Sequence, residues 1–527
     1  MSNTDKPIAT SRCQAEVIEF LRSPATYGPE VDNVECIETH GALVFLAGDQ
    51  AYKLKRSVKF QYLDFSTLEK RERTCRHEVD RNRSTAPDIY IGVLPVTRAR
   101  DGTLTLGREG TPVDWLVVMN RFNQAELFDD MATRCCLPLS LMSTLAEQIA
   151  DYHDQARTFP SFDGSCILSR VVTQVATSLT NAHDLIAPIR TQAYVDHLTS
   201  LVNQNADLLR ARSHKGLVRL CHGDLHLRNI VLHDGRPTLF DAIEFDDRLA
   251  KIDVLYDLAF LLMDLWHRDL QRHANLCFCT YASKAIATAD LAGLAALPMF
   301  MSVRAAIRAM VAIDKYRLSP EQNSSSSLQD LEDYINLATA FIEPRPPVLI
   351  AIGGLSGTGK TTISAALSPE IGPPPGAFHL RSDVERKRMA GVDLLTPLPK
   401  EAYSPSSSDH VYQRLCDRAK NALEAGCSVV VDAVFLETER RRQIEQVAIR
   451  QNVPFQGIWL EAPKDKLTQR VLGRKNDASD ADSSVIKLQL ERKVDVTRWA
   501  AINTDRPIQD TICKVRSVID PSCQSPS

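Results

Sequence analysis

The segment Gly354-Leu-Ser-Gly-Thr-Gly359-Lys360-Thr361 fits G-x-x-x-x-G-K-[ST], and the chemistry of that pattern is phosphate binding. Gly354, Gly357 and Gly359 permit backbone turns whose N–H groups wrap phosphate oxygens. Lys360 would bridge the β- and γ-phosphates of ATP, and the Thr361 hydroxyl, with Thr362 beside it, would sit at the magnesium ion. The pattern follows the apolar run VLIAIGG and opens a helical stretch, so a helix N-terminus adds positive potential at the same place. Downstream, SVVVDA ends in Asp432, a carboxylate positioned to hold Mg2+ or its water shell, or else to cap a strand. Asp383, in HLRSDVERKRM, follows another expected strand, where it could orient an acceptor hydroxyl or take its proton. Ser382 or Asp383 would serve equally well as a helix N-cap there. Arg381 and Arg386 are weaker candidates for substrate contact. Arg470 and Arg474 stand four apart on an expected helix, a spacing that can close two guanidiniums over a phosphate or simply face solvent.

A second constellation lies earlier, in His222-Gly-Asp224-Leu-His-Leu-Arg-Asn229. Phosphoryl transfer of the protein-kinase type uses an Asp to orient or deprotonate the acceptor hydroxyl and an Asn five residues later at the metal. A second metal carboxylate should follow on a short strand. LHDGRPTLFDAIEFDD supplies it: Asp234-Gly235 makes the turn, TLF the strand, and Asp241 the ligand. Glu244 could reach metal or substrate, or stay at the surface. Asp253 and Asp257, four apart in KIDVLYDLAFLL, read as structural.

The elements that must position these groups differ in kind. Residues 34–63 form short β runs with a turn at Gly48-Asp49, followed by a charged helix over 66–85 and two more strands, YIGVLPVTR and DWLVVMNRF. That makes a small α+β lobe. From about 129 to 341 the pattern is mostly helical, interrupted at 217–245, with a polar loop expected at 319–327 and a last helix over 328–342. Glu343-Pro-Arg-Pro-Pro347 cannot continue a helix and marks a boundary. Beyond it β and α runs alternate with very apolar strands: strand 348–353, strand 376–380, helix 409–424, then SVVVDA and FQGIWLEA. This predicts a parallel sheet covered on both faces.

The 527 residues are too many for one ordinary core. A hydrophobic share of 44%, a charged share of 24% and a net charge of −4 are those of a soluble protein without an electrostatic reason to seek nucleic acid or membrane. Thirteen cysteines show no CxxC and no zinc spacing, and read as reduced thiols of a cytoplasmic protein. The most apolar stretch, Leu291 to Ile313, carries Arg304 and Arg308 and reads as a buried helix rather than a span.

GGLSGTGKTT, RSDVERKR, VVVDA and RKNDASDAD resemble the small P-loop kinases that include gluconate kinase-like and zeta-toxin-like enzymes, over roughly 348–515. HGDLHLRN followed by Asp241 resembles aminoglycoside phosphotransferases and choline kinase-like enzymes, which share the protein-kinase fold, over about 34–340. That resemblance implies Asp224 as catalytic base, Asn229 and Asp241 as magnesium ligands, and an N-lobe lysine paired with a helix glutamate. Lys53 and Lys55 lie on one strand face. Lys53 is preferred because Ala-Tyr before it resembles the kinase V-A-I-K, and Glu78 is preferred to Glu69 and Glu72. No G-x-G-x-x-G precedes the lysine, only Gly41, and Asp241-Ala-Ile replaces Asp-Phe-Gly.

YKLKR, LDFSTLEKR and CHGDLHLRN resemble fused bacterial proteins that join the two kinds of domain. The implied division is 1–343 for a protein-kinase-like α+β domain (N-lobe about 30–125, helical C-lobe about 126–343), 344–347 for a linker, and 348–527 for an α/β P-loop kinase. The leading expectation is a bifunctional ATP- and magnesium-dependent phosphotransferase acting on hydroxyl groups of small molecules. The alternative is a regulatory nucleotide-binding protein, or a toxin-type kinase acting on a protein or cell-wall precursor.

Overall fold

In the computed structural model, described over residues 12–39, 41–59, 64–284, 291–318, 320–473, 478–480, 483–492 and 498–520, the two motifs fall in two units. One comprises Met1–Gly164 with Ser213–Leu261, the other Ser165–Arg212 with Leu262–Ser527.

The first unit opens with helix α1 (Arg12–Arg22) and a six-stranded antiparallel sheet. Its strands are β1 (Val34–Glu38), β2 (Ala42–Ala47), β3 (Gln50–Lys55), β4 (Tyr90–Arg98), β5 (Leu104–Leu106) and β6 (Thr111–Asn120), in the order β1-β2-β3-β6-β4-β5. Helix α2 (Leu68–Asn82) crosses between β3 and β4; Thr67 caps it by accepting the N–H of Lys70. The strand period places Tyr52 and Leu54 of β3 with Val17, Leu21 and Phe45 in one core. Ala51 turns to the opposite core with Cys75 and Val79 of α2. Lys53 and Lys55 share the Ala51 side, so the lysines face α2 because every second residue of β3 must.

Helix α3 (Leu141–Gln155), strand β7 (Val218–Leu220) and the hairpin β8 (Ile230–His233)–β9 (Arg236–Leu239) complete this unit with β10 (Lys251–Asp253) and most of α4 (Val254–His267). β10 pairs antiparallel with β7. Asp253 is not four residues along a helix from Asp257, as its spacing suggested. It ends β10 and accepts the N–H of Leu255 at the start of α4.

The second unit contains helices Gly164–Asn181, Pro188–Gln204 and Gln271–Lys284, and the packed pair α5 (Leu297–Leu318) and α6 (Pro320–Phe341). The expected polar loop is helical from Pro320 onward. Proline suits a first helical turn, where its missing N–H costs nothing, and this outweighs the turn preference of the serines. Leu291–Arg317 is long and apolar enough to cross a membrane, but most of it is buried within the protein and Arg304 is among its buried residues.

The chain then runs without regular structure to β11 (Leu349–Gly354), the centre of a five-stranded parallel sheet. The sheet's other strands are β12 (Phe378–Arg381), β13 (Val429–Asp432), β14 (Phe455–Glu461) and β15 (Ala500–Asn503), ordered β12-β13-β11-β14-β15. Helices α7 (Lys360–Leu367), α8 (Ser382–Met389), α9 (Pro405–Glu424), α10 (Thr438–Gln451), α11 (Lys464–Leu472) and α12 (Ile508–Ile519) accompany it. Every residue of β11 is buried, and Ile350 and Ile352 pack with Ile363 and Leu367 of α7 and Ile512 and Val515 of α12. The Asn275 amide ties the helical part of this unit to the sheet by donating to the carbonyls of Pro375 and Ala377, both at 3.0 Å.

Candidate functional site

In the first unit, β3 and α2 present a lysine and an acid to one another. Lys53 Nζ lies 2.8 Å from Glu78 Oε1 and 2.5 Å from Asp241 Oδ1. Lys55 Nζ lies 2.5 Å from Glu78 Oε2 and also meets Glu244. Both lysines therefore reach the same fully buried glutamate, one on each oxygen. Burial opposes the charge of Lys53, but Asp241 and Glu78 outweigh it and hold the ammonium well above its ordinary pKa. Burial raises Glu244, which is an internal ion partner rather than a surface acid. Glu69 is exposed and Glu72 pairs with Arg76, leaving Glu78 as the inward acid of α2.

Asp241 sits just past β9 with φ 60°, a left-handed conformation that a non-glycine residue adopts only where its surroundings enforce it. The enforcement is visible. Its N–H donates to Tyr90 Oη at 3.2 Å, and the next N–H, of Ala242, donates to Asn82 Oδ1 at 2.9 Å. Asn229 Nδ2 donates to the Asp224 carbonyl and to its Oδ2, both at 2.9 Å, which leaves the amide oxygen Oδ1 as an acceptor. Asp224 keeps a side chain 41% exposed, with His226 Nε2 at 3.3 Å.

The Asp224 loop is fixed from below. Buried Asp257 accepts the N–H groups of His222 and Gly223 at 3.0 and 2.8 Å, and His153 Nε2 lies 3.1 Å from the same carboxylate. Sequence reading missed Tyr90, Asn82 and His153. Asn82 follows Glu78 by one helical turn, a signal that could have found it; the others come from elements brought together only by the fold.

In the second unit the glycines behave as the pattern demands. Gly354, Gly357 and Gly359 have φ of 141°, 90° and 90°. A Cβ on Gly357 would lie 2.7 Å from the Leu467 carbonyl, whereas Gly359 has open space where its side chain would be. Gly359 also stands immediately before α7, whose first turn aims N–H groups at the loop. Lys360 Nζ donates to the Leu355 carbonyl at 3.2 Å, and the Thr361 hydroxyl donates to Asp432 Oδ2 at 2.5 Å. Thr362 is exposed in the same turn. Burial raises the Asp432 carboxyl, but His379, whose Nε2 lies 3.7 Å away, Lys360 and Arg381 outweigh it and hold it at about 2.

Asp383 is in the first turn of α8, and the N-cap position belongs to Arg381, so neither Ser382 nor Asp383 caps this helix. Burial raises the Asp383 carboxyl; Arg381 and Lys360 act against the rise and Asp432 adds to it. Arg470 lies on α11 and donates to the carbonyls of Gly357 and Thr504 at 3.4 and 2.8 Å, which pins it beside the glycine loop. Arg474 lies outside the described residues. Asp480, in the RKNDASDAD run, accepts from Lys387 at 2.7 and 2.8 Å and from Tyr403 at 2.6 Å. Gln489 Oε1 accepts the N–H of Ser356. Both contacts escaped the sequence reading because nothing local links Asp480 to Lys387 or Gln489 to the glycine loop.

The donor sets fit divalent cations: an amide oxygen and a carboxylate at Asn229 and Asp241, a hydroxyl and a carboxylate at Thr361 and Asp432.

Residues 95–297 match the family described as phosphotransferase enzyme family, and residues 349–494 match the family described as AAA domain. An uncharacterised protein of Mycobacterium tuberculosis is 26% identical over 523 residues, covering 96% of this chain and 98% of its own. A probable gluconokinase of Dictyostelium discoideum is 25% identical over 173 residues, 31% of this chain and 82% of its own. Among solved structures, a choline/ethanolamine kinase family protein from Mesorhizobium loti covers 63% of this chain and 95% of its own at 14% identity and TM-score 0.38. A gluconokinase from Sinorhizobium meliloti covers 35% of this chain and all of its own at 20% identity and TM-score 0.25. With the two family matches, the expected fold classes stand: kinase-like α+β first, then α/β P-loop with a parallel sheet.

Proposed function

We propose that this chain, a phosphotransferase enzyme that joins a phosphotransferase-family domain to a P-loop AAA domain of kinase type, transfers the γ-phosphoryl group of ATP to hydroxyl groups of small molecules at two separate sites. The observation that carries the reading is the linked set Glu78–Lys53–Asp241 with Asn229 hydrogen-bonded to Asp224, all within one unit. The reading divides the two family domains near residues 344–347, whereas the compact units of the structure group Ser165–Arg212 and Leu262–Ser527 together. The reading also places the protein in the cytoplasm and makes small molecules, not nucleic acid or membrane, its partners.

At the first site Lys53, oriented by Glu78, would hold the α- and β-phosphates. Asp224 would orient the acceptor hydroxyl and take its proton as the O–P bond forms. Asp257 acts through the loop backbone and never touches substrate. At the second site the glycine-loop N–H groups and Lys360 would hold the β- and γ-phosphates, Arg470 would steady the loop, and Asp383 would meet the acceptor hydroxyl. Mg2+, held by Asn229 and Asp241 at one site and by Thr361 and Asp432 at the other, would neutralise charge building on the phosphate oxygens. The protein's own contribution is positioning and fixed charge, with no covalent intermediate.

The test is ATP consumption with a panel of sugars, sugar acids, amino alcohols and aminoglycosides, using wild type, Asp224→Ala and Lys360→Ala. An acceptor that stimulates turnover, with the stimulation lost in one variant alone, assigns that acceptor to that site. No stimulation by any acceptor, with a basal rate unchanged by both substitutions, overturns the reading.

A further inference from the structure

Helices α8 and α9 of the second unit bring three arginines to one glutamate. Glu385 and Arg388 are three apart on α8 and share a face, as do Arg414 and Arg418, four apart on α9. Arg388 Nη1 lies 3.3 Å from Glu385 Oε1, Arg414 Nε 3.0 Å from Oε2, and Arg418 Nε 3.4 Å from Oε1. Among the described residues no other carboxylate pairs with any of the three. Asp417, the neighbouring acid on α9, accepts from Gln413 instead. Asp383 stands two residues before Glu385, on another stripe of α8, so this cluster is separate from the second site.

Three guanidiniums against one buried carboxylate leave two positive charges unmatched. Burial pushes the Arg388 guanidinium down to about 10; Glu385 acts against the fall, and the charges of Arg418 and Arg414 add to it. The three arginines therefore repel one another at short range. Their exposures divide the roles. Arg418, at 2%, lies behind the cluster with Nη2 on the Ala282 carbonyl, out of reach of a ligand, and acts by charge alone. Arg388 and Arg414 keep 21% and 32% of their side chains exposed. Arg388 uses Nη1 on Glu385 and Arg414 uses Nε, so each keeps N–H groups for an acceptor arriving from solvent. Phosphate oxygens accept from guanidinium forks in pairs. A phosphate ester carries about −1.5 to −2 at pH 7, which answers the unmatched charge, whereas a single carboxylate supplies about half of it.

We propose that Arg388 and Arg414 form an anion site for a phosphate group, free or carried by a small-molecule monoester, with Arg418 behind them supplying positive potential. The site stands on this cluster and not on the kinase reading. Its chemistry is binding without a covalent step: phosphate oxygens accept the N–H groups that Glu385 leaves open, and the ligand's charge relieves the repulsion among the three guanidiniums. A ligand held only by the folded chain stabilises it increasingly once its concentration passes the dissociation constant. Either exposed arginine can be removed without orphaning Glu385, because two guanidiniums remain on it.

The experiment is calorimetric titration of the full chain near neutral pH, at fixed ionic strength, with inorganic phosphate, glucose 6-phosphate and acetate. Lys360→Ala is the background throughout, so that phosphate on the glycine loop does not mask the signal, and Arg388→Gln and Arg414→Gln are made on it. The expected result is saturable binding of phosphate or glucose 6-phosphate, weakened about tenfold or more by either substitution, with acetate bound far more weakly. The melting temperature should rise with the same ligand in the background chain and not in the variants. Tighter binding of glucose 6-phosphate assigns the site to an ester, and tighter binding of phosphate assigns it to the free ion. Circular dichroism identifies a variant that fails to fold, and the other then carries the comparison. No saturable binding of either phosphate ligand, undiminished affinity in either folded variant, or equal binding of acetate overturns the site.

Discussion

The carboxylate of Asp257 accepts the backbone N–H of Gly223 at 2.8 Å, and through that bond a helix outside the reaction holds the loop that carries Asp224. With the N–H of His222 on its other oxygen, Asp257 satisfies two donors that have no route to water. Asp257→Ala leaves both unpaired, at about 1–3 kcal/mol each. The expected outcome is a clearly lowered melting temperature, and a first-site rate that falls further than the population of unfolded protein explains, while Lys360-dependent turnover persists below the melt. Loss of both activities in parallel would mean that Asp257 serves folding alone.

Lys53 and Lys55 share Glu78 but differ in their other partner, and this separates their roles. Lys53 reaches Asp241, whose side chain is 37% exposed, whereas Lys55 reaches Glu244, 8% exposed. Lys53→Met should cut first-site turnover by about 10²–10³-fold, the scale for losing one preorganised charge at a reacting phosphate. Lys55→Met should act mainly on stability, because Glu244 and one Glu78 oxygen lose a buried cation, on the order of 3–5 kcal/mol. Urea melts and initial rates on the two variants distinguish these effects; the reverse pattern would make Lys55 the phosphate lysine.

That ambiguity shows how far the sequence could be read. The period of β3 places both lysines on one face, and the spacing of HGDLHLRN and of the glycine loop announces phosphate chemistry within a few consecutive residues. The choice between Lys53 and Lys55 depends on which acid each meets, and Asp241 and Glu244 lie nearly 190 positions further along the chain. The same limit hid Tyr90 behind Asp241 and Asp480 behind Lys387: each contact joins elements that no local pattern connects. The misread loop at 319–327 failed differently, because serines favour turns only weakly and a proline at a helix start is as ordinary as one in a loop.

The glycine loop separates shape from strain. Gly357→Ala would bring a Cβ to 2.7 Å from the Leu467 carbonyl in addition to the strained φ of 90°, while Gly359→Ala meets the same φ but open space. Both should weaken nucleotide binding at the second site, and Gly357→Ala should also lower the melting temperature, since backbone must move to admit it. The strain common to both is worth about 1–3 kcal/mol. Differential scanning fluorimetry with and without ATP reads the two effects; a Gly359→Ala chain that binds ATP as wild type does would remove this loop from the phosphate site.

Asp383 gives the second site a pH signature. Burial raises its carboxyl above the ordinary aspartate value, with Asp432 adding to the rise against Arg381 and Lys360. As a base it works only when ionised, so activity should be present above the raised pKa and lost as pH falls through it. The acid limb of second-site turnover therefore belongs at higher pH than an unperturbed aspartate, about 3.9, would place it. Asp383→Asn cannot ionise; it should lose about 10²–10⁴-fold in rate and, in the residual activity, lose that limb. The profile is measured on the Asp224→Ala background, so that the first site does not contribute. An acid limb that survives unchanged in Asp383→Asn would assign it to another group and reduce Asp383 to orienting the acceptor.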